Sequence, residues 1–410
     1  MKEYYANGQL QAEYLLKEGK REGSFKEWYE QGKPKMEFFY VNGSLDGQQK
    51  EYYPSGQLKM RVTYVDKQKE GLYEEWYENG VPCIQTAVEK GVKQGLALSW
   101  YENGQTKIEE SYLDDLLDGK RKEWYESGQL KYVGAFNKGK KDGAFQEFNE
   151  QGDFLLSLFY EQDLPEGEVK TWYGKDALKE VLYYKSGKKE GPVTEYYPNG
   201  RVKAKAFYQN DLLQGPLESW YEEGSLWFSK HFEKGVPVGE QKEYYRKDPS
   251  STEETLRVFH LFFHDAEGRL EGEQKTFYPN GAIQASISHH QGELHGRKSL
   301  WNEQGILVEE AEYQDGKLHG RSYQKLEDGR EVMYQYEHNH KQGLHEIYYP
   351  THEVYGRIKA LEAVYDKDLV QGEVAEYHPS GRKVAVTPYV NGKKEGVAKA
   401  FGPKAKRCLS

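Results

Sequence analysis

Apolar and polar residues alternate two by two through most of the chain: Leu58, Met60, Val62 and Tyr64 fall on one side, Gln57, Lys59, Arg61 and Thr63 on the other. A period of two predicts a strand with one covered face. The alternation is itself repeated, because glycine returns at Gly23, Gly47, Gly71, Gly95, Gly119, Gly143, Gly167, Gly191, Gly215 and Gly239, nine successive steps of 24 residues. The series resumes at Gly272, Gly296, Gly320, Gly343, Gly372 and Gly396, giving about sixteen units. Such self-similarity predicts a repeat architecture.

Numbering each repeat from that glycine places a second glycine at position 10, as in Gly32, Gly56, Gly80 and Gly104, after an Asn, Ser or Gln. Position 21 holds Gly, Asp, Asn or Lys, as in Gly43, Asp115, Gly139 and Asp163. Gly, Asn and Asp tolerate positive φ, so two turns close each repeat into a hairpin. The first strand is expected to end in two aromatics, such as Trp28-Tyr29, Tyr52-Tyr53 and Trp76-Tyr77, one for each sheet face. A three-residue turn would then set position 5 opposite position 13, matching Glu27 with Lys35, Glu51 with Lys59 and Glu123 with Lys131. Such cross-strand pairs contribute roughly 0.2–1 kcal/mol each. The predicted fold class is all-β: a solenoid-like array of 24-residue β-hairpin repeats forming one long twisted antiparallel sheet. It reads as a single continuous array over residues 1–402 with a basic tail at 403–410.

Composition sharpens this picture. Of 410 residues, 37% are hydrophobic and 30% charged, which disfavours a thick core, yet 35 Tyr, 16 Phe and 8 Trp are far too many for a disordered chain. A thin sheet carrying aromatic rows satisfies both. The net charge of −10 comes from interleaved signs without a basic stripe, so nucleic acid is not an expected partner. Cys83 and Cys408 are too few for a disulfide framework and fit a reducing, cytoplasmic setting; a removed leader would instead imply the periplasm or envelope. No apolar run approaches the ~20 residues of a membrane span, so stable membrane insertion is not expected.

Two motifs carry a likeness to a known family. One is the turn string Lys50-Glu51-Tyr52-Tyr53-Pro54-Ser55-Gly56-Gln57-Leu58-Lys59; the other is the acidic-Gly junction at Glu22-Gly23, Asp46-Gly47, Glu70-Gly71, Asp118-Gly119 and Asp142-Gly143. In these the chain resembles the bacterial MORN-variant repeat over nearly all its length. The resemblance implies hairpin arrays that recognise a partner, often as antitoxin or immunity proteins, and it brings no catalytic residues. A protein partner such as a toxin is therefore expected. A cell-envelope or carbohydrate-binding array, or a membrane-associated scaffold, is the alternative.

No phosphate loop, nucleophile elbow, His-Glu-x-x-His or Cys-x-x-Cys is present, so neither enzymatic chemistry nor a cofactor or metal is expected. Irregularities say more about function. Extra residues follow Tyr245 and Tyr349 in the same turn of their repeats, and ten of twelve histidines lie between His260 and His352. Residues 246 to 356 are thus the expected specificity region, with Tyr245, Asp248, His295, Trp301, His319 and Tyr355 as contact candidates. Trp124, Trp172 and Trp220 are further aromatic candidates. Trp227 joins them because, like Leu155, it replaces the lysine of position 13.

Overall fold

The computed structural model describes residues 1–247 and 256–402; Asp248 and the basic tail 403–410 lie outside the described residues. The fold is all-β, with 41 strands in one antiparallel sheet among the described residues. Strands pair with their neighbours in the chain: Gly47–Tyr52 pairs with Leu58–Val65, which pairs in turn with Gln68–Trp76. The chain divides into an N-terminal half (Met1–Val202 and Tyr208–Asp211) and a C-terminal half (Lys203–Phe207 and Leu212–Ser410).

Each repeat has a wide and a narrow turn. In the wide turn the Tyr53 amide donates to the Gln57 carbonyl and the Gly56 amide to the Tyr53 carbonyl, both at 2.8 Å, with Gly56 at φ +90°. The narrow turn has two residues, both at positive φ, as at Asn42 (51°) and Gly43 (82°) or Asp114 (50°) and Asp115 (65°). Its right-handed twist matches that of the strands it joins.

Two expectations need correction. The second aromatic of most pairs does not lie on the sheet: strands end at Trp28, Tyr52 and Trp76, and Tyr29, Tyr53 and Tyr77 begin the wide turn, although Tyr173 stays within its strand. The register is also one residue off, since Glu27 faces Met36 and Glu51 faces Met60. The three-residue turn is right, but a bulge follows it and absorbs Lys35 and Lys59. Lys35 still reaches Glu27 at 2.6 Å. Lys59, Lys107 and Lys131 instead sit 5.9, 5.4 and 5.6 Å from the ring centroids of Tyr53, Tyr101 and Tyr125.

The core is one side chain thick. Position 3 lies between flanking aromatics: Phe145 is 3% exposed and packs its ring 5.4 Å from Phe136 and 4.9 Å from Tyr160. A Cβ on Gly134 would fall 2.6 Å from the Phe145 ring, so glycine there makes room for it. The two most buried side chains, Gln49 and Gln241, are polar and occupy the same position 3. The reason lies in the ladder. Tyr40 faces Leu45, but Glu37 faces Lys50, so the second strand gains two residues across Asp46 and Gly47. Gln49 repairs the gap: its Oε1 accepts from the Phe39 amide at 3.0 Å and its Nε2 donates to the carbonyls of Asp46 (2.8 Å) and Gly47 (3.0 Å). Gln241 does the same for His231 and Val238, and Gln274 for Phe263 and Glu271.

Neighbouring repeats are stitched at both rims. At the wide turn, the position-7 tyrosine hydroxyl donates to the carbonyl that ends the next repeat's first strand. Tyr29 reaches Tyr52 (2.8 Å), Tyr53 reaches Trp76, Tyr77 reaches Trp100 and Tyr101 reaches Trp124 (2.9 Å each). At the narrow turn the acidic-Gly junction does the work. Glu22, Glu70, Asp118 and Glu190 accept from the amides of Asn42, Lys90, Lys138 and Asn210 in the following repeat, at 2.8–3.0 Å. The family-like motifs are thus the hydrogen-bonding points between hairpins, which none could supply alone.

Two outcomes follow from these bonds. Tyr101→Phe leaves the Trp124 carbonyl without its partner and should loosen the flanking hairpins by about 1 kcal/mol, read as faster amide exchange over residues 96–137; unchanged exchange would show that the stitch contributes nothing. Gln241→Leu strands the His231 amide and Val238 carbonyl and should cost about 1–3 kcal/mol of local stability. The same amide-exchange measurement checks it.

Candidate functional site

The strands Leu226–Glu233 (LWFSKHFE) and Val258–His264 (VFHLFFH) both flank Gly239–Tyr244 and hold four and five aromatic or histidine side chains in close sequence. Here two successive hairpins hold an aromatic ring at position 13, where Lys203 stands in the hairpin before them. Trp227 takes its place in one hairpin and lies 5.8 Å from the ring of Tyr221; Phe259 takes it in the next and lies 4.9 Å from Tyr245. The ammonium that elsewhere covers the position-7 tyrosine is replaced by an aromatic ring. Trp227 is 45% exposed. The cluster continues through Phe228, 5.1 Å from Trp227, and His260, 3.9 Å from Phe259. Lys230 bridges the hairpins with its ammonium 4.9 Å from Phe228 and 5.7 Å from Phe262.

Charge around the cluster is fixed by pairing. Glu243 lies opposite Phe228 and is bonded by Lys230 at 2.7 Å and His260 at 3.3 Å. Burial opposes its charged form, but these two donors outweigh burial and hold its carboxyl below the ordinary range. Burial pushes the hydroxyls of Tyr221 and Tyr245 up, so both stay protonated donors at neutral pH. Two hollows adjoin the strip. One, of ≈ 190 Å³, is lined by Leu261, Phe262, Leu270 and Ile287 with His260 and His289. The other, of ≈ 420 Å³, has His231, His264 and Asp265 on its wall. Burial pushes the His264 imidazole down, favouring its neutral form. Among the described residues no group of three His, Cys, Asp or Glu side chains is arranged to hold a metal ion.

The candidates read from sequence separate into three kinds. Trp227 and Tyr245 belong to the strip. Trp124, Trp172 and Trp301 are half-buried: Trp124 and Trp301 end their strands and offer their carbonyls to Tyr101 and Tyr278, and Trp172, inside the strand Leu164–Gly174, packs 5.3 Å from Phe154. Trp220 also ends a strand and has Lys205 5.9 Å from its ring. His295, His319 and Tyr355 lie away from the strip. His295 meets Asp315 at 3.2 Å, His319 stacks edge-on to His338 at 5.1 Å, and Tyr355 is 74% exposed beside His352. Leu155 lies in a small hollow with Tyr125 and Tyr132. Sequence reading missed Phe259 because the insertion before it hides its repeat position. Counting back from Gly272 lands one residue away, on His260, because the narrow-turn side of this repeat is also one residue longer.

Comparison with known proteins agrees with this geometry. The model of the MORN repeat variant matches residues 1–18, 21–42, 45–66, 69–86, 93–114, 117–138, 189–210 and 270–291. The chain is a MORN-repeat protein. Among the described residues, hairpins of the same geometry also lie between and beyond these matches, as Gly143–Phe148 with Phe154–Glu161 and Glu293–Trp301 with Leu307–Gln314 show. No curated protein matches the chain in sequence. A solved structure described as "Crystal Structure of TcdB2-TccC3 without hypervariable C-terminal region" is similar over 97% of this chain at 9% identity, with a TM-score of 0.14. This chain spans 30% of that one, and a likeness so slight carries no argument.

The lysine that six repeats of this chain hold at position 13 makes the strip testable as an addition to the fold. Trp227→Lys restores the common residue and should leave the melting temperature within about 1–2 °C, since surface changes of this kind stay within roughly 0.5 kcal/mol. A large fall would show that Trp227 is packing and not a presented surface.

Proposed function

We propose that this MORN-repeat chain is a non-catalytic binding protein of the antitoxin or immunity type, which holds a protein partner against the strip formed by Tyr221, Trp227, Tyr245 and Phe259. The carrying observation is that two successive hairpins place an aromatic ring at position 13, against the turn tyrosine, where Lys59, Lys107, Lys131 and Lys179 lie over it in other repeats. Rigid aromatic side chains on a stiff sheet cost little entropy to bury and serve as anchors in protein interfaces. Rings already packed on one another add preorganisation. The paired Glu243, Lys230 and His260 give the rim fixed polar groups that orient a partner. A cytoplasmic setting goes with this reading, in which the partner is a toxin or effector encoded nearby.

The test is co-expression of the full chain with the products of adjacent genes. Co-purification of one product, with relief of any toxicity it causes, is the expected result. The Trp227→Ala/Phe259→Ala double variant should then weaken binding at least tenfold, about 1.4 kcal/mol, while keeping the parent's circular dichroism. Retention on peptidoglycan without any protein partner would overturn the reading in favour of envelope binding.

A further inference from the structure

The C-terminal half contains one core position whose chemistry does not suit a core. His345 occupies position 3 of its repeat, where Phe25, Phe145 and Val169 sit in others, and is 5% exposed. Its ring lies flat on Tyr334, 4.0 Å between centroids and 5° between planes, and edge-on to Tyr365 at 5.6 Å. Across the strand it faces Ala363, which is 2% exposed. Neither imidazole nitrogen has a hydrogen-bond partner among the described residues.

The groups around it are hostile to a second proton. The Lys341 ammonium sits 3.9 Å from the Tyr334 centroid and 5.5 Å from that of Tyr365, on the same aromatic box. Tyr334 and Tyr336 lie on one neighbouring strand and Tyr365 on the other, so aromatic rings and not carboxylates flank the imidazole on both sides. The nearest carboxylate on its own strand, Glu346, is already paired with Lys359 at 2.7 Å. Burial, with the Lys341 charge adding to it, pushes the His345 imidazole down to about 4. The same box in another repeat shows the contrast: Lys141 lies over Phe145 and Tyr160, and a phenyl ring there has no proton to gain.

We propose that the hairpin built on His345 is an acid-sensitive latch, in which protonation of the buried imidazole releases strand Gly343–Tyr348 from its two neighbours while the other repeats stay closed. A buried imidazolium beside an ammonium, with neither nitrogen hydrogen-bonded, is costly, and this drives the protonated ring towards water. In a repeat array, contacts are between neighbours, and one hairpin opens without dragging the rest. The direction follows from linkage. A histidine held below its unfolded value contributes stability that is complete above about pH 6.5 and is lost as the pH falls towards 4. The released strand leads directly into the loop that carries Val354 and Tyr355, 77% and 74% exposed, so acid would also free that tip.

The test is hydrogen–deuterium exchange of the full chain at pH 7.5 and pH 5.0, corrected for the intrinsic pH dependence of exchange. Opening of residues 331–348 should rise by about tenfold or more at the lower pH, against little change over residues 139–160, where Phe145 fills the box. His345→Phe, which copies that repeat, should abolish the difference. The proposal is overturned if 331–348 shows no excess over 139–160 in the wild-type chain, or if the phenylalanine variant keeps the acid response. The regional comparison within the wild-type chain decides the matter even if the variant fails to fold.

Discussion

A single two-stranded hairpin is at best marginally stable in water, and this chain is made of little else. What holds it together is the bond most hairpins make outside themselves: a turn tyrosine hydroxyl donating to the carbonyl that closes the next repeat's first strand. On the opposite rim, the junction carboxylate caps the next narrow turn. The two sets of bonds fix neighbouring hairpins at both ends, and the space between them becomes a core one side chain deep. Each element of the repeat has its reason there: tyrosine because only a long ring with a terminal hydroxyl spans the gap, the acid because it faces a free amide, glycine because the ladder gains residues beside it.

That thin core explains why its best-buried side chains are glutamines. A bulge leaves a backbone amide and carbonyl without partners, and an amide side chain supplies both complements at once. Where the bulge position holds an apolar ring, packing between position-18 aromatics takes over, as around Phe145. His345 is the exception, with the shape of the second solution and the chemistry of neither.

Much of this was legible in the sequence. The 24-residue glycine spacing and the two-residue alternation fixed the class and the turns, because both follow from backbone geometry that few residues satisfy. The register was not legible, since Glu27 and Lys35 suggest a direct pair and meet in space, yet the bulge that brings them together places Met36 opposite Glu27. Nor was the role of the second aromatic. A Tyr-Tyr pair on a strand points to two faces, whereas Tyr53 has already left the strand for its neighbour's carbonyl. Of the proposed contact residues, Trp227 was legible because it breaks a rule that six or more repeats keep. Trp124 and Trp301 were not separable from it by residue type alone, and the structure assigns their backbones to the stitches.

Function in this account depends on where the repeat rule is broken. The most direct measurement is an amide-exchange footprint of the full chain with its co-purified protein partner bound. The account predicts protection centred on residues 221–231 and 241–262, with the regular N-terminal hairpins exchanging as they do in the free chain. Protection spread evenly along the repeats, or confined to segments away from Trp227 and Phe259, would contradict it.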